Sequence, residues 1–130
     1  MKILVTGGTG FVGSHVCRQL MCGGHAVRLL VRNIEKAQVY YQQLDEGMPE
    51  LVLGDVTDGE SVKAALASCD AVVHAAAATP VQMKSVEKMF AVNVGGVKQV
   101  VGNALALKTN HIVCISSITA IFDEDADKVT

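Results

Sequence analysis

Glycines recur at short, regular spacing near the start of the chain, in the segment LVTGGTGFVGSH at residues 4–15. Two phosphate-binding spacings overlap there: residues 8–13 read G-x-G-x-x-G, and residues 6–13 read T-G-x-x-G-x-x-G. The backbone amides of such a loop, together with the dipole of the helix that follows it, attract phosphate groups. The segment therefore predicts a phosphate-binding loop, and both registers are open at this point.

The glycine spacing has two other interpretations. Gly8 and Gly13 have the glycine spacing of a nucleoside-triphosphate loop. That kind of loop is nevertheless excluded, because Ser14 stands where its phosphate-binding lysine is required. A structural turn without a ligand stays as an alternative. In a dinucleotide-binding loop, Gly7 allows the strand to turn sharply, Gly10 leaves room for a diphosphate, and the third glycine lets the helix pack closely on the sheet.

The elements that must position this loop alternate between strand and helix. We predict short apolar strands over residues 2–6, 26–31, 51–53, 71–75 and 111–115. We predict helices over residues 13–21 and 58–68 and from residue 85 onward, with a helical tendency over residues 33–46. Strands joined by crossover helices require a parallel sheet with helices on both faces. The predicted fold class is α/β, a Rossmann-type doubly wound sheet with strand order 3-2-1-4-5 and a ligand crevice where strands 1 and 4 diverge.

The spacing of apolar residues predicts which helix faces pack on this sheet. The inner residues of the first helix are predicted to be Val16, Leu20 and Met21. Those of the helix at 58–68 are predicted to be Val62, Ala65 and Leu66. The stripe of the last helix is predicted to be Val86, Phe90, Asn93, Val94, Val97 and Val101. The buried amide of Asn93 needs hydrogen-bond partners, and we expect it to bridge neighbouring strand-end loops.

Composition narrows the range of partners. A chain of 130 residues suffices for one domain, and its net charge of −2 argues against a nucleic-acid or membrane partner. It has no signal-peptide pattern and no apolar run long enough to cross a membrane, so we expect a cytoplasmic protein.

Cys17, Cys22, Cys69 and Cys114 form no C-x-x-C pair and are interpreted as small buried thiols. No metal site is predicted, because His15, Cys17 and Cys22 do not share one helix face.

Six segments carry a resemblance to a known family. They are, in order, VTGGTGFVGSH, VRLLVRN, LVLGDVTD, DAVVHAAA, NVGGVKQVV and IVCISSITA. Over nearly the whole chain they resemble the extended short-chain dehydrogenase/reductase family, especially its dihydroflavonol-reductase-like and NAD-dependent epimerase/dehydratase members. The resemblance implies that the fingerprint glycines are Gly7, Gly10 and Gly13. It also implies cofactor contacts along the loop, at Gly7, Thr9, Gly10, Phe11, Val12 and Gly13.

The end of the second strand distinguishes NAD from NADP. An acidic residue there would bind both ribose hydroxyls of NAD and repel a 2′-phosphate, but the sequence has Val31-Arg32-Asn33. Arg32 offers a planar fork suited to phosphate, and Lys36 adds a second positive charge one helical turn later. The alternative is a surface arginine beside Glu35. We predict NADP(H) as the cofactor, with NAD less favoured.

Further contacts follow from the resemblance. Asp55 and the backbone of Val56 would bracket the adenine amino group, although Asp55 could instead only begin a turn. Small side chains after the fourth strand would let the backbone approach the diphosphate and the nicotinamide ribose; they are Ala75, Ala76 and Ala77. His74 is interpreted as a packed histidine with one ring nitrogen satisfied by the backbone, rather than as a catalytic base.

Hydride transfer also needs a proton source. The family uses a serine or threonine after the fifth strand, followed by tyrosine and lysine in Y-x-x-x-K. Ser117 matches the catalytic serine, with Ser116 as a neighbouring cofactor contact and Thr119 as an alternative hydroxyl; these residues could instead cap the strand end. Tyr40 and Tyr41 are the only tyrosines, lie far from this site, and have no lysine at the required spacing.

We therefore predict that residues 1–130 form one dinucleotide-binding domain. It is either the N-terminal piece of a longer enzyme, which we favour, or a short cofactor-binding module. The predicted reaction transfers a hydride between NADP(H) and an unidentified carbonyl or alcohol. The alternatives are a nucleotide-sugar epimerase or dehydratase with retained NAD, and a non-catalytic NADP(H) sensor. We expect this chain to bind cofactor without turnover, and the resemblance is compatible with a homodimer of the full-length protein.

Overall fold

The computed structural model describes residues 1–44, 47–79 and 84–117. Within them, parallel strands form one sheet of order β3-β2-β1-β4-β5. The strands are β1 (Lys2–Thr6), β2 (Ala26–Val31), β3 (Glu50–Leu53), β4 (Ala71–His74) and β5 (His111–Cys114). The predicted strand order is confirmed, and each predicted strand end lies within one residue of the observed one.

Helices make the crossover connections. They are α1 (Phe11–Cys22), α2 (Ile34–Gln42), α3 (Gly59–Leu66), α4 (Val86–Phe90) and α5 (Gly96–Ala106), with a π-helical turn (Ala91–Gly95) between the last two. Side-chain caps define three of the starts. Asn33 accepts a hydrogen bond from the amide of Lys36, Asp58 from that of Glu60, and Ser85 from the amide three residues later. Residues 58 and 85, predicted as the first helical residues, are therefore N-caps.

The core lies on both faces of the sheet, because successive residues of a strand point in opposite directions. Val5 and Leu29 pack on one face with Cys17 of α1 and with the inner side of α2. Leu4 packs on the other face with Val62 of α3 and with α5. The predicted inner residues of α3 are confirmed. In α1, the predicted inner residues Val16, Leu20 and Met21 are only half-buried, and the apolar side chain that is fully buried is that of Cys17.

The stripe predicted for the last helix is wrong. Val86 and Phe90 are 67% and 62% exposed, and the buried face of α5 consists of Gly96, Val100 and Ala104. The π-helical turn interrupts the 3.6-residue period on which the prediction relied. Close approach also matters more than side-chain size here, since a Cβ at Gly96 would lie 3.0 Å from a methyl group of Val56.

The cysteines do not share one environment. Cys17 is buried and Cys69 is half-buried, but Cys22 and Cys114 are exposed, so the prediction of buried thiols is wrong for these two. Cys22 is the last residue of α1, and Cys114 belongs to β5, the edge strand of the described sheet. Within the described ranges, no helix has the length and apolar character needed to cross a bilayer.

Candidate functional site

A cavity of about 500 Å³ lies at the carboxyl ends of β1, β2, β3 and β4, the edge at which ligands bind in open α/β sheets. Its size is within the range of small-molecule sites, about 300–1,000 Å³. Four strand-end loops, the last two residues of β2 and two helical segments form its lining. The lining residues are Gly7, Thr9, Gly10, Leu30, Val31, Arg32, Lys36, Tyr40, Gly54, Asp55, Val56, Ala75, Ala76, Ala77, Ala78 and Val92.

The structure brings most of the predicted cofactor residues to this cavity. Gly7, Thr9, Gly10, Arg32, Lys36, Asp55, Val56, Ala75, Ala76 and Ala77 all line it. Phe11, Val12 and Gly13 are not among the described lining residues. Phe11 is 83% exposed and Val12 is exposed at the start of α1, whereas Gly13 is buried beneath the loop.

The glycine loop takes the chain from β1 into α1 through a close contact with the end of β4. Gly7 has a φ of 72°, and a Cβ there would lie 2.6 Å from the carbonyl carbon of Ala75 and from the amide nitrogen of Ala76. A Cβ at Gly13 would collide with the carbonyl oxygen of Gly7. The amide of Gly10 donates a hydrogen bond to that same carbonyl at 2.9 Å. Of the three glycines in the register 7, 10 and 13, the first and the third are therefore required because any side chain there would collide with backbone atoms.

The first turn of α1 is open toward an anionic ligand. Gly10 is the N-cap residue and makes no side-chain cap hydrogen bond. The side chain of Ser14, one turn later, donates to the carbonyl of Phe11 at 3.0 Å rather than to a ligand. The first amides of a helix have no partner within the helix, so solvent or a bound anion must satisfy them here.

The cap of α2 brings two cationic side chains to the β2 side of the cavity. Asn33 Oδ1 accepts a hydrogen bond from the amide of Lys36 at 2.7 Å, which places Lys36 in the first turn. Arg32 directly precedes the cap and is exposed. Tyr40 lines the cavity one turn after Lys36. Among the described lining residues the acidic one is Asp55, which follows β3 rather than β2.

Asp55 both forms a turn and lines the cavity. Its Oδ1 accepts hydrogen bonds from the amide and the hydroxyl of Thr57, at 2.9 and 2.8 Å. Its own amide donates to the hydroxyl of Ser61 at 3.1 Å. The two interpretations made from the sequence are therefore compatible, since these turn contacts engage one carboxylate oxygen of a residue that lines the cavity.

His74 is packed beneath the cavity and is 2% exposed. Its Nδ1 lies 2.7 Å from the hydroxyl of Thr6, so the predicted backbone partner is wrong and a strand-end hydroxyl takes its place. The Thr6 oxygen also accepts a hydrogen bond from the amide of Ala76 at 3.4 Å, so this hydroxyl joins the His74 ring to the loop that follows β4. Burial lowers the pKa of His74, so the imidazole is neutral. Among the described residues, its Nε2 has no hydrogen-bond partner.

Asn93 connects the π-helical turn to the loop that follows β4. Its Oδ1 accepts a hydrogen bond from the amide of Ala78 at 2.7 Å, and its Nδ2 donates to the carbonyl of the same residue at 2.9 Å. Asn93 was predicted to bridge neighbouring strand-end loops, but both of its hydrogen bonds go to one residue of a single loop. The contact fixes the end of residues 75–78, which line the cavity.

One of the two tyrosines lines the cavity and the other supports its glycine loop, whereas the sequence analysis noted only that both lie far from the expected catalytic site. Tyr40 lines the cavity, and the hydroxyl of Tyr41 donates a hydrogen bond to the carbonyl of Gly8 at 2.6 Å. Sequence analysis missed both roles, and it also missed Thr6. For Tyr41 a signal was available in the sequence. It follows Ala37 by four residues and therefore lies on the same buried face of α2.

Ser116 and Ser117 follow β5 at the same edge of the sheet. The amide of Ile115 donates to the carbonyl of His74 at 2.9 Å, so the pairing of β5 with β4 continues one residue beyond the strand. Both serines are exposed and are not among the described lining residues. The roles of Ser116 and Ser117 stay predictions, and Thr119 lies outside the described residues.

Comparisons with known proteins agree with this geometry. The model of the NAD dependent epimerase/dehydratase family matches residues 3–129. Cinnamoyl-CoA reductase 1 of Arabidopsis thaliana is 33% identical over 123 residues, which cover 92% of this chain and 35% of that protein. The 2-alkyl-3-oxoalkanoate reductase of Shewanella oneidensis is 32% identical over 118 residues, covering 91% and 29%. The chain spans about a third of the length of these relatives.

Solved structures of other proteins superpose on this chain over nearly its whole length. The UDP-glucose-4-epimerase from Stenotrophomonas maltophila, with bound NAD and formylated UDP-arabinopyranose, superposes with a TM-score of 0.81 at 27% identity, over 99% of this chain and 40% of that one. The structure described as gox2253 superposes with a TM-score of 0.79 at 34% identity, over 95% and 36%.

Proposed function

Because the chain belongs to the NAD-dependent epimerase/dehydratase family, we propose that it forms the NADP(H)-binding part of an oxidoreductase that acts on a carbonyl or alcohol. This family depends on NAD or NADP, and a dinucleotide is accordingly the proposed ligand of the cavity. One observation carries the preference for NADP(H): Arg32 and Lys36 both line the cavity after β2, where a carboxylate would repel a 2′-phosphate.

The described residues fit the parts of this cofactor. The diphosphate is proposed to bind the amides of the glycine loop and of the first turn of α1, including those of Phe11 and Val12. The adenosine 2′-phosphate is proposed to bind Arg32 and Lys36 by charge-assisted hydrogen bonds. The adenine is proposed to lie near Asp55 and Val56, and the nicotinamide ribose near residues 75–77, whose small side chains allow close backbone approach.

The chemistry at the substrate is proposed from the family pattern. When bound, the cofactor supplies or accepts the hydride. Ser117, after β5, is proposed to donate a hydrogen bond to the reacting oxygen. No lysine follows Tyr40 or Tyr41 at the Y-x-x-x-K spacing, so we expect these 130 residues to bind cofactor without turnover. The proposed partner is a small-molecule substrate, and a cytoplasmic location remains a prediction from the sequence.

An epimerase with retained NAD is the second candidate. The observation that favours it is the superposition with a UDP-glucose-4-epimerase that has bound NAD. The cationic end of β2 argues against it, because it offers no carboxylate to the ribose hydroxyls of NAD. A non-catalytic NADP(H) sensor would bind the same cofactor and would differ only in the absence of turnover by the full-length protein.

Calorimetric titration of the protein with NADPH, NADP⁺, NADH and NAD⁺ tests the proposal. We expect the phosphorylated cofactors to bind about tenfold or more tightly than their counterparts, a difference of about 1.4 kcal/mol or more. Equal or tighter binding of NADH would favour the NAD-retaining epimerase. Absence of binding by all four would contradict the assignment of the cavity.

A further inference from the structure

Tyr41 supports the glycine loop from the side opposite the cavity. Its side chain is 1% exposed and packs with Cys17 and Leu29 on the face of the sheet that α1 and α2 cover. Gly8 presses directly onto this core, since a Cβ there would lie 2.6 Å from Leu29 Cδ2 and 3.0 Å from Cys17 Sγ. The hydroxyl of Tyr41 donates to the carbonyl of Gly8 at 2.6 Å.

This contact determines the orientation of the next amide. In a trans peptide the carbonyl and the following N–H point in opposite directions, and the described chain contains no cis peptide bond. With the Gly8 carbonyl held inward by Tyr41, the Thr9 amide points away from this core, and Thr9 itself lines the cavity. Among the described residues, this amide has no backbone acceptor.

The loop needs such a contact, because a peptide next to a glycine can rotate at low cost. The donor is permanent at physiological pH. Burial raises the pKa of Tyr41, so the phenol keeps its proton. Burial also raises the pKa of the neighbouring Cys17 thiol to about 11, so no thiolate competes for the hydroxyl.

We propose that Tyr41 is a positioning residue for the diphosphate, because its hydroxyl holds the Gly8 carbonyl inward and thereby aims the Thr9 amide at the bound dinucleotide. The inference rests on the proposed function, since it takes a diphosphate as the ligand of the loop. It assigns the adjacent tyrosines to different sides of one site. Tyr40 lines the cavity, and Tyr41 fixes the backbone that forms its wall.

The substitution Tyr41→Phe keeps the ring and removes the hydroxyl. Dissociation constants are measured for ADP and NADPH, which contain a diphosphate, and for adenosine 2′-monophosphate, which does not. We expect affinity for ADP and NADPH to fall about tenfold, the factor that corresponds to one buried hydrogen bond, and affinity for the monophosphate to change less than about twofold. The matched control is Ile3→Val, a small deletion in the same core at the start of β1 that leaves ADP binding unchanged.

Unchanged ADP affinity in Tyr41→Phe would overturn the inference, and so would an equal loss for all three nucleotides. A measurement on the unsubstituted protein covers the case in which the variant does not fold. The ¹⁵N-labelled amide resonance of Thr9 is expected to shift on saturation with ADP but not with adenosine 2′-monophosphate, and an unmoved resonance with ADP would overturn the inference. Failure of the unsubstituted protein to bind any of these nucleotides would instead contradict the proposed function itself, and that failure is seen without a variant.

Discussion

The hydroxyl of Thr6 and Nδ1 of His74 lie 2.7 Å apart and join the carboxyl ends of β1 and β4. These two strands carry the glycine loop and residues 75–78, and both segments line the cavity. The contact is buried and combines a neutral imidazole with a hydroxyl that also accepts from the Ala76 amide. The site is therefore supported by a hydrogen-bond network that depends on the protonation state of one histidine.

Acid should weaken this support. Burial lowers the pKa of His74 in the folded protein, so the unfolded chain binds a proton more readily and stability falls as the pH falls through the ordinary histidine range. We expect the free energy of unfolding to decrease from about pH 7.5 to about pH 5.5, measured by urea denaturation. The substitution His74→Gln should reduce this slope, whereas the exposed His111→Gln should retain it. An unchanged slope in His74→Gln would assign the acid sensitivity to other groups.

Cofactor preference should depend on Arg32. Removing its guanidinium would delete the charge-assisted hydrogen bonds proposed to the 2′-phosphate, a group that NADH lacks. We expect Arg32→Ala to weaken NADPH binding by about ten- to a hundredfold and to leave NADH binding nearly unchanged, measured by fluorescence titration. The exposed Lys98→Ala on α5 is the control for a general loss of positive charge. Equal losses for NADPH and NADH would refute the assignment of Arg32.

A methyl group at Gly7 should damage both stability and binding. Gly7 and Gly24 have φ values of 72° and 78°, but only at Gly7 would a Cβ collide with backbone atoms, whereas nothing lies within 4 Å at Gly24. The substitution Gly24→Ala should cost about 1–2 kcal/mol of unfolding free energy through backbone strain alone. We expect Gly7→Ala to cost more and to weaken NADPH binding, measured by thermal unfolding and titration. Matching effects of the two substitutions would show that the close contact with residues 75 and 76 is unimportant.

The buried Arg28 should contribute to the stability of the fold but not to the binding of NADPH. Arg28 Nη1 donates to the carbonyls of Ala65 and Ala67 at the end of α3, both at 2.8 Å, and its Nη2 lies 2.9 Å from Glu50. The guanidinium lowers the pKa of the Glu50 carboxyl. We expect Arg28→Lys to lower the free energy of unfolding by about 2 kcal/mol, because an ammonium cannot reach all three acceptors. NADPH affinity should stay the same, and a selective loss of affinity would place Arg28 in the site.

Local sequence signals were sufficient for the sheet and for the placement of the glycine loop. The strands β1 and β2 are short, mostly apolar runs that Gly7 and Arg32 directly follow, so their bounds and the loop between β1 and α1 follow from residues adjacent in sequence. The starts predicted for α2 and α3, at residues 33 and 58, lie one residue before the first helical residues, and both residues are N-caps. Most of the predicted cofactor residues therefore line one cavity, because parallel strands bring their carboxyl ends to one edge.

Contacts between distant parts of the chain were not predictable in this way. Thr6 and His74 are 68 positions apart, and Tyr41 is 33 positions from Gly8. Neither pair carries a spacing that a periodic pattern would detect. The buried face of α5 was also not predicted. Gly96 allows close packing because it lacks a side chain, whereas a periodic pattern is recognised from large apolar residues.

The proposed function depends on binding of the NADP(H) diphosphate by the backbone amides after β1, and a single titration can decide whether this binding occurs. Thermal unfolding of the protein is followed together with NADPH fluorescence as the nucleotide concentration rises. We expect a saturable change in fluorescence and an unfolding temperature that rises with NADPH concentration. At a free NADPH concentration a hundred times the dissociation constant, binding should raise the free energy of unfolding by about 2.7 kcal/mol. An unchanged unfolding temperature and unchanged fluorescence at about millimolar NADPH would contradict it.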